Sequence, residues 1–481
     1  MEKREKEIEL TSEARRFMYE LPDKATDFSA VKVLNGMQQL TLLVLLAVLI
    51  LSFLADWTST LIAVNGLCLA FYLIMVAFKA YLNHVSIKSP EILKFDEPEL
   101  AAVQEDSLPP YTILVPLYKE TEVLKQLVEG LDALIYPKEK LDVLLLLEET
   151  DAETRAAVEA MDLPRYVRVL IVPDLQPRTK PKACNAGLAM CEGEYLVIYD
   201  AEDRPEPDQL MKAVLGFRKV PEEVVCLQAK LNFYNRCFNL LTRLFTTDYS
   251  VWFDLTLPGL DALEAPIPLG GTSNHFKVKE LRELLGWDPY NVTEDCDLGT
   301  RLAMAGCRTK ILDSTTWEEA CSEVGFWVKQ RSRWVKGYMQ TYLVHLRRPV
   351  RHLRTLGVGK TLMFHLMVGG TVVSLLINPL YWLLTLAWFS FRLELIAFMF
   401  PFPLVLWGVL CLFVGNFLFI YVAMLASYQR GYYDIVKHCL LLPLYWLLAS
   451  IGAWKGFLQL VTRPSYWEKT RHGLDVARGK E

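Results

Sequence analysis

Three short groups of acidic, polar and aromatic residues lie in one polar stretch of this chain. In order, they are Asp200-Ala201-Glu202-Asp203, Thr293-Glu294-Asp295 and Gln330-x-x-Arg333-Trp334. Paired carboxylates can hold a divalent cation, a later carboxylate can take up a proton, and a Gln/Arg/Trp cluster can bind a diphosphate and a ring. Together these chemistries are what sugar transfer from a nucleotide donor requires.

The first group follows a short apolar run, residues 195–199, that is typical of a buried strand. Asp200 and Glu202 alternate at its end, so both can reach one metal ion if the chain turns there. Their hard oxygen ligands suit Mg²⁺ or Mn²⁺. An isolated pair of acids is more often a solvated turn, but the preceding strand and the two following prolines favour a metal site here.

The second and third groups each have a structural alternative. Thr293 and its acids could simply cap the helix predicted over residues 296–305, whereas the functional interpretation makes Asp295 a general base for an acceptor hydroxyl. Residues 330, 333 and 334 can share one helical face. Gln330 and Arg333 could then donate to a diphosphate and Trp334 could stack on a sugar, or the helix over residues 326–346 could be only a membrane-surface anchor.

A basic segment, Arg178-Thr-Lys180-Pro-Lys182-Ala-Cys-Asn185-Ala-Gly187, precedes the first acidic group. Its cations and amide could hold phosphates or a uracil edge, although an ordinary charged loop is the alternative.

These groups need a scaffold, and the polar stretch predicts one. Apolar runs at residues 111–117, 141–147, 167–172 and 195–199 alternate with helical patterns, which favours a parallel, doubly wound sheet. Ligands bind at the carboxyl ends of such strands, where Glu148-Glu149-Thr150-Asp151 and the Asp200 group lie.

Apolar segments flank this domain, and their basic flanks place both ends in the cytoplasm. Proline, glycine and lysine interrupt residues 439–461, and a single crossing there would put the basic tail outside, so that segment is predicted as a re-entrant or interfacial hairpin beside four full spans. A fifth full span is the alternative. The predicted organisation is a cytosolic amphipathic segment (1–36), two transmembrane helices (37–84), a cytosolic catalytic domain (85–345), further transmembrane helices with the hairpin (346–462) and a cytosolic tail (463–481).

Composition excludes other classes of protein. A net charge of −5 argues against a broad nucleic-acid surface. The ten cysteines form no Cys-x-x-Cys pair, so a zinc site has no support and reduced thiols are expected.

The ordered motifs resemble those of membrane-embedded family 2 glycosyltransferases, similar to the cellulose, chitin and hyaluronan synthases. The resemblance covers residues 111–344 and the flanking spans. It is carried by Val115-Pro116-Leu117-Tyr118-Lys119-Glu120, Lys182-Ala-Cys-Asn185, Asp200-Ala-Glu202-Asp203, Gly270-Gly271-Thr272, Thr293-Glu294-Asp295 and Gln330-x-x-Arg333-Trp334.

The resemblance implies a GT-A fold, a UDP-sugar donor, a Mg²⁺ or Mn²⁺ cofactor and inversion at the anomeric carbon. Asp295 becomes the base, and Asp200 with Glu202 the metal ligands. An Asp is usual where Glu202 stands, so Asp203 is the alternative ligand. Residues implied to bind the nucleotide sugar are Glu149, Asp151, Lys182, Asn185, Asp200, Gln330 and Arg333; those implied at the acceptor are Gly271, Thr272, Glu294 and Trp334.

The chain lacks the family's Phe-x-Val-Thr gating-loop motif, yet a donor site must exclude water. The polar tail is therefore predicted to act as a lid, with Trp467, Lys469 and His472 facing the donor. An interfacial anchor is the alternative.

We therefore expect a processive inverting glycosyltransferase, multi-pass in the plasma (bacterial inner) membrane, that extends a β-linked polysaccharide and secretes it. Its expected partners are a UDP-sugar, the growing polysaccharide and membrane lipid, with room for an accessory secretion subunit and no role for nucleic acid. The alternatives are a non-processive enzyme that adds one sugar to a lipid, and a transporter or scaffold with an inactive enzyme domain.

Overall fold

The protein's central element is a single nine-stranded sheet. The computed structural model describes residues 7–8, 10–88, 91–464 and 466. The strands are β1 (Glu7–Ile8), β2 (Tyr111–Leu117), β3 (Leu141–Glu148), β4 (Val167–Val172), β5 (Tyr195–Ile198), β6 (Arg204–Pro205), β7 (Val224–Phe233), β8 (Asn274–Lys277) and β9 (Arg308–Glu318).

The sheet is mixed, in the order β1-β4-β3-β2-β5-β8-β7-β9-β6. Neighbours from β1 to β5 are parallel, β8 is antiparallel to both β5 and β7, β9 is parallel to β7, and β6 is antiparallel to β9. The four apolar runs identified in the sequence are β2 to β5, with bounds that agree within one residue. The GT-A fold that the resemblance implies is confirmed, although the sheet is mixed and not fully parallel as the apolar runs predicted, because β8 and β6 are antiparallel to their neighbours.

Apolar residues fill both faces of the sheet around β2 and β5, which is why these two strands contain almost no polar residues. On β3, Leu144 and Leu146 pack in one cluster, whereas Leu145 and Leu147 pack in the other. Each cluster is completed by helices, so the strand ends are held rigidly.

Helices precede, cover and follow the sheet. Before it come α1 (Ser12–Phe17), α2 (Glu20–Lys24), α3 (Gly36–Ala55) and α4 (Trp57–Lys88). The domain contains α5 (Glu97–Ala101), α6 (Leu124–Asp132), α7 (Ala152–Glu159), α8 (Lys180–Met190), α9 (Gln209–Lys219), α10 (Leu240–Val251), α11 (Leu257–Ala262), α12 (Val278–Glu283), α13 (Glu294–Met304) and α14 (Val324–His345). After it come α15 (Pro349–Phe364), α16 (Gly370–Phe391), α17 (Glu394–Met399), α18 (Leu404–Val409), α19 (Asn416–Gln429), α20 (Tyr433–Val436) and α21 (Leu442–Thr462).

Five helical stretches within the described residues are long and apolar enough to cross a membrane. They are Gly36–Ala55, Trp57–Lys88, Pro349–Phe391, Leu404–Gln429 and Tyr433–Thr462. In α3, no side chain is buried by the protein itself, although its residues are almost all apolar. Such a surface is typical of contact with lipid.

Residues 442–462 form one continuous helix, α21, so the turn of the hairpin predicted over residues 439–461 is absent, whereas the interfacial position of this segment stays a prediction. Pro443 lies in its first turn, where proline is tolerated. Gly452 and Gly456 face α14: a Cβ on Gly456 would lie 2.6 Å from the Ser332 carbonyl oxygen. These glycines permit close helix packing and do not break the helix.

An N-terminal arm formed by β1, α1 and α2 packs against the domain. β1 pairs with β4, and α1 contacts α8. Asp288 accepts hydrogen bonds from the Ser29 hydroxyl at 2.9 Å and the Ala30 N–H at 2.5 Å. The predicted amphipathic segment thus contacts both the edge of the sheet and the loop that leads to Asp295.

Candidate active site

One cavity of about 1290 Å³ contains most of the residues singled out in the sequence. It opens at the carboxyl ends of β2, β3 and β5, passes the N-terminus of α13 and one face of α14, and continues between α4, α19 and α21. A polar pocket at strand ends and an apolar passage between helices are therefore one continuous space.

The strand-end part of the cavity is rich in carboxylates. Asp200, Glu202 and Glu318 line it. Burial first, and then the neighbouring acids, raise the pKa of Glu318 well above its ordinary value. Such an accumulation of negative charge favours a bound cation. Glu318, the last residue of β9, was not singled out in the sequence.

Asp203 has a structural role, so the alternative that made it a metal ligand does not fit its position. It does not line the cavity; its carboxylate accepts the Asp200 N–H at 2.8 Å and the Thr272 hydroxyl. These bonds form the turn that directs Asp200 and Glu202 into the cavity. Thr272 lines the cavity, but its hydroxyl is engaged in this turn and also lies 3.0 Å from the Ile198 carbonyl oxygen.

Lys180 is the cation closest to the first acidic group. Its ammonium forms an ion pair with Asp200 and donates to the Gly271 carbonyl at 2.8 Å. Lys180 therefore links the basic segment, the metal motif and the glycine loop. Arg178 also lines the cavity and forms a bidentate pair with Asp174 at 2.5 Å for each bond.

Asp295 lies in the first turn of α13 and faces the cavity. Its Oδ1 accepts the Cys296 N–H at 2.7 Å, and a Cβ on Gly271 would lie 3.4 Å from its Oδ2. Burial first, and then the charge of Glu294, raise the pKa of Asp295 to about 7. A carboxylate with a pKa near neutrality is well suited to general-base catalysis.

This pKa predicts how the rate depends on pH. Below about pH 7 the Asp295 carboxyl is protonated and cannot accept a proton, so kcat/KM for the acceptor should fall about tenfold per pH unit. Initial rates from pH 5 to 9 measure this. A rate that falls little between pH 8 and pH 5, as expected for an ordinary carboxylate, would contradict the base assignment.

The Gln/Arg/Trp cluster lies on the cavity face of α14, as the spacing predicted. Gln330, Arg333 and Trp334 all line the cavity. Gln330 Oε1 is buried and accepts no hydrogen bond from the described residues. A buried amide oxygen in that state needs a ligand or water to satisfy it.

Trp334 is held in place by aromatic and cationic neighbours. Its ring centroid lies 6.0 Å from that of Phe245 and 6.2 Å from that of Tyr249. The Arg331 guanidinium lies 4.7 Å from the Trp334 ring centroid and is anchored by an ion pair to Asp248. Arg331, which the sequence did not single out, therefore positions the ring by a cation–π contact.

A close contact between α13 and α14 joins the start of α13, which carries Asp295, to this cluster. A Cβ on Gly337 would lie 2.2 Å from Thr293 Oγ1 and 2.5 Å from its Cγ2. Only glycine at position 337 permits this approach. Thr293 is the N-cap of α13, although its side chain makes no capping hydrogen bond.

Gly337→Ala should therefore displace α13 from α14 and lower the transfer rate. A displacement of about 1 Å in a site can cost about 100-fold in rate. Gly325→Ala is the matched control, because no atom lies within 4 Å of its added Cβ on the same helix. Equal rates and equal Tm values for the two variants would show that this contact does not set the site geometry.

At the end of β3, the predicted nucleotide residues need correction. Glu148, not Glu149 or Asp151, lines the cavity. Glu149 is exposed and accepts the Asp174 N–H at 2.9 Å, whereas Asp151 caps α7 and accepts the Lys119 N–H. Strand alternation directs Glu148 inward, whereas the sequence alone does not distinguish it from the neighbouring acids.

Lys182 and Asn185 do not line the cavity, in contrast to their predicted contact with the donor. Lys182 is fully buried, and its ammonium lies 3.0 Å from Glu148 Oε2 and 3.2 Å from the Pro173 carbonyl oxygen. The Asn185 amide donates to the carbonyls of Met18 and Trp287 at 3.2 Å and 2.8 Å. Both residues hold the walls of the site together, because their partners come from distant parts of the chain.

The predicted lid lies largely outside the described residues, which include none of Trp467, Lys469 and His472. The start of the tail lies on α14: Lys336 donates to the Tyr466 carbonyl, and Gln340 donates to the Pro464 carbonyl at 3.0 Å. Tyr466 lines the cavity. The lid itself stays a prediction.

Comparison with known proteins agrees with this geometry. Residues 109–337 match the family model described as "Glycosyltransferase like family 2". These residues are a family 2 glycosyltransferase domain. The family predicted from the ordered motifs is confirmed.

Relatives of the glycosyltransferase domain include two curated proteins. A probable glycosyltransferase of Bacillus subtilis (strain 168), YdaM, is 25% identical over 242 residues, 50% of this chain and 57% of that protein. Probable glucomannan 4-beta-mannosyltransferase 7 of Oryza sativa subsp. japonica is 28% identical over 239 residues, 48% of this chain and 40% of that protein. The chain thus spans about half the length of these relatives.

A solved structure supports the fold of the glycosyltransferase domain. The mannosyltransferase PcManGT from Pyrobaculum calidifontis, in complex with GDP-Man and Mn²⁺, matches with a TM-score of 0.51. The match covers 83% of this chain and 99% of that chain at 17% identity. At that identity the likeness concerns the GT-A fold alone.

Proposed function

We propose that the protein is a processive inverting glycosyltransferase, which moves a sugar from a UDP-sugar to the end of a β-linked polysaccharide at the membrane and couples extension to secretion. One observation carries the proposal. The cavity lined by Asp200, Asp295 and Trp334 is also lined by Val422 of α19 and Ala449 of α21. An acceptor between the helices therefore reaches the base without leaving the cavity.

Asp295 is the proposed base. It removes the proton from the acceptor hydroxyl, whose oxygen attacks the anomeric carbon as the nucleoside diphosphate leaves. A single displacement from the opposite face inverts that carbon. Trp334 holds the acceptor sugar by stacking, and Glu294, beside the base, lies within the same wall for contacts to acceptor hydroxyls.

The donor lies at the strand ends in this proposal. Gln330, Arg333 and Lys180 surround the position of the diphosphate, and each can donate hydrogen bonds to phosphate oxygens. Glu148, buried beside Lys182, can accept a hydrogen bond from the edge of the nucleobase. The short loop after β2 forms the remaining wall.

Asp200 and Glu202 would hold the divalent cation. No group of three His, Cys, Asp or Glu residues in the described part of the chain forms a complete metal cage. Two carboxylates completed by substrate phosphates and water are nevertheless an arrangement that Mg²⁺ and Mn²⁺ accept, and the excess negative charge around Glu318 fits a dication. When bound, the cation neutralises the charge of the departing diphosphate.

Product length tests the proposal. Membranes or detergent-purified protein supplied with a labelled donor should give products of increasing length on a gel, including in the presence of excess unlabelled acceptor. Because relatives are named mannosyltransferases and a fold neighbour was solved with GDP-Man, GDP-mannose belongs beside the UDP-sugars. Products that stop after one added sugar would exclude processive extension.

Single transfer to a lipid acceptor is the second candidate. It is favoured by Lys79 of α4, a cation that lines the cavity on a helix long and apolar enough to cross a membrane. In both candidates we place the catalytic domain on the cytosolic side of the plasma membrane, because the basic residues flank the apolar segments on that side.

A further inference from the structure

Lys79 is a cation that forms no ion pair with an acid among the described residues. It lies on α4, is half-buried and lines the cavity. Within the described residues its ammonium has no hydrogen bond or ion pair, and its recorded contact is the Phe419 ring, with the ring centroid at 5.3 Å. A charge beside apolar helices is costly unless it is paired, so such a residue is expected to have a functional partner.

The acid in the same part of the cavity is already neutralised. Asp248 forms an ion pair with Arg331 and accepts the Tyr445 hydroxyl at 3.1 Å. Arg331 also contacts the Trp334 ring. If Arg331 moved away so that Asp248 could pair with Lys79, its contact with Trp334 would be lost. The membrane-side wall therefore carries one uncompensated positive charge.

Asn83 provides a second polar group one helical turn further along the same wall. It lines the cavity, is 7% exposed and donates through Nδ2 to the Lys79 carbonyl at 2.8 Å. Its Oδ1 is buried without a hydrogen-bond partner among the described residues. Lys79 and Asn83 together offer several donors and one acceptor, which suits an anionic group that carries or adjoins a hydroxyl.

The position of Lys79 along α4 agrees with contact to a lipid headgroup. Along α4, the 22 residue-to-residue steps from Trp57 to Lys79 span about 33 Å at 1.5 Å per step, close to the roughly 30 Å of a hydrocarbon core. Trp57 at the helix start is a typical interfacial residue. Lys79 is then at headgroup level on the side of the catalytic domain.

We propose that Lys79 and Asn83 bind an anionic group of the acceptor, so that the acceptor carries a phosphate or carboxylate close to the sugar whose hydroxyl reaches Asp295. The depth of Lys79 favours the phosphate of a lipid-linked saccharide, and a uronic acid of an acidic glycan is the other source of the same chemistry. The anion is an anchor and does not react. This inference rests on the proposed function, because the acceptor is the one used in the proposed sugar transfer. The anion-binding charge is that of Lys79.

Acceptor kinetics test the inference. Wild-type protein and the variants Lys79→Met, Lys79→Arg, Asn83→Ala and Lys88→Met are compared with three acceptors that carry the same terminal sugar: a prenyl-diphosphate glycolipid, an alkyl glycoside and a uronic-acid oligosaccharide. Lys88 is the control, because it is exposed at the end of α4 and does not line the cavity. Donor hydrolysis without acceptor is measured for each variant.

Lys79→Met should raise KM for an anionic acceptor at least tenfold, and Asn83→Ala should raise it less. Lys79→Arg and Lys88→Met should leave this KM within a few-fold of the wild-type value. The alkyl glycoside and donor hydrolysis should not respond to Lys79→Met. The anionic acceptor that responds identifies the source. Equal KM values for anionic and neutral acceptors in the wild type, unchanged in Lys79→Met, would overturn the inference.

A binding measurement separates this inference from the proposed function. Dodecyl phosphate should raise the Tm of the wild-type protein relative to dodecyl glucoside, and Lys79→Met should abolish the difference. If no donor is turned over but this difference holds, the proposed function fails and the anion subsite stands. An equal shift in wild type and Lys79→Met would overturn the subsite.

Discussion

Asp295→Asn is expected to reduce sugar transfer by about 10²–10⁴-fold while donor binding is retained, because the amide cannot take up the acceptor proton. The change preserves size, and the Cys296 N–H can still donate to the Asn side-chain oxygen. Single-turnover transfer rates and donor Kd measure the two effects separately.

The matched control is Glu283→Gln, an exposed acid on α12 outside the cavity. It should transfer sugar at the wild-type rate. Near-normal turnover by Asp295→Asn at the same Tm would show that another group is the base, and the neighbouring Glu294 would become the first candidate.

Asp200→Ala and Glu202→Ala are expected to weaken cation-dependent donor binding by about 100-fold or more, because one carboxylate then remains to hold a hydrated dication. Isothermal titration with the nucleoside diphosphate, with and without Mn²⁺, measures this. Binding in the absence of the cation should change little.

Asp203→Asn distinguishes a ligand from a residue that forms the turn. It should lower the Tm, because an amide in place of the carboxyl group disturbs the bonds from the Asp200 N–H and the Thr272 hydroxyl, but it should leave the Mn²⁺ dependence of binding in place. Glu222→Ala, on an exposed loop, is the neutral control. A mild effect of Glu202→Ala beside complete loss of cation dependence in Asp203→Asn would move the ligand to Asp203.

The sequence predicted the strands and the order of the site because both depend on local patterns. Runs of residues buried on both faces marked β2 to β5, and the spacing of Gln330 and Trp334 marked one face of α14. Asp295 and Asp200 follow from the same reasoning, since each lies at the end of an element that directs it into the cavity. Their chemical roles stay proposals.

Residues whose role depends on distant partners could not be predicted in this way. Asn185 looked like a donor ligand, yet its partners are Met18 of the N-terminal arm and Trp287, 102 residues later. Lys182 of α8 likewise forms an ion pair with Glu148, which lies at the end of β3. The turn predicted within residues 439–461 is absent. In the sequence Gly452 suggested a helix break, but in the structure it packs against α14 within a continuous helix.

Nucleotide-sugar turnover is the property on which the proposed function depends most directly. The decisive measurement is nucleoside diphosphate release by the purified protein from a panel of UDP-sugars and GDP-mannose, with Mn²⁺, with Mg²⁺ and with a chelator, beside Asp295→Asn. We expect release from at least one donor, dependence on the cation, and strong reduction in Asp295→Asn. Folded protein that binds a donor but releases no diphosphate from any of them, or does so equally well in Asp295→Asn, would contradict the account.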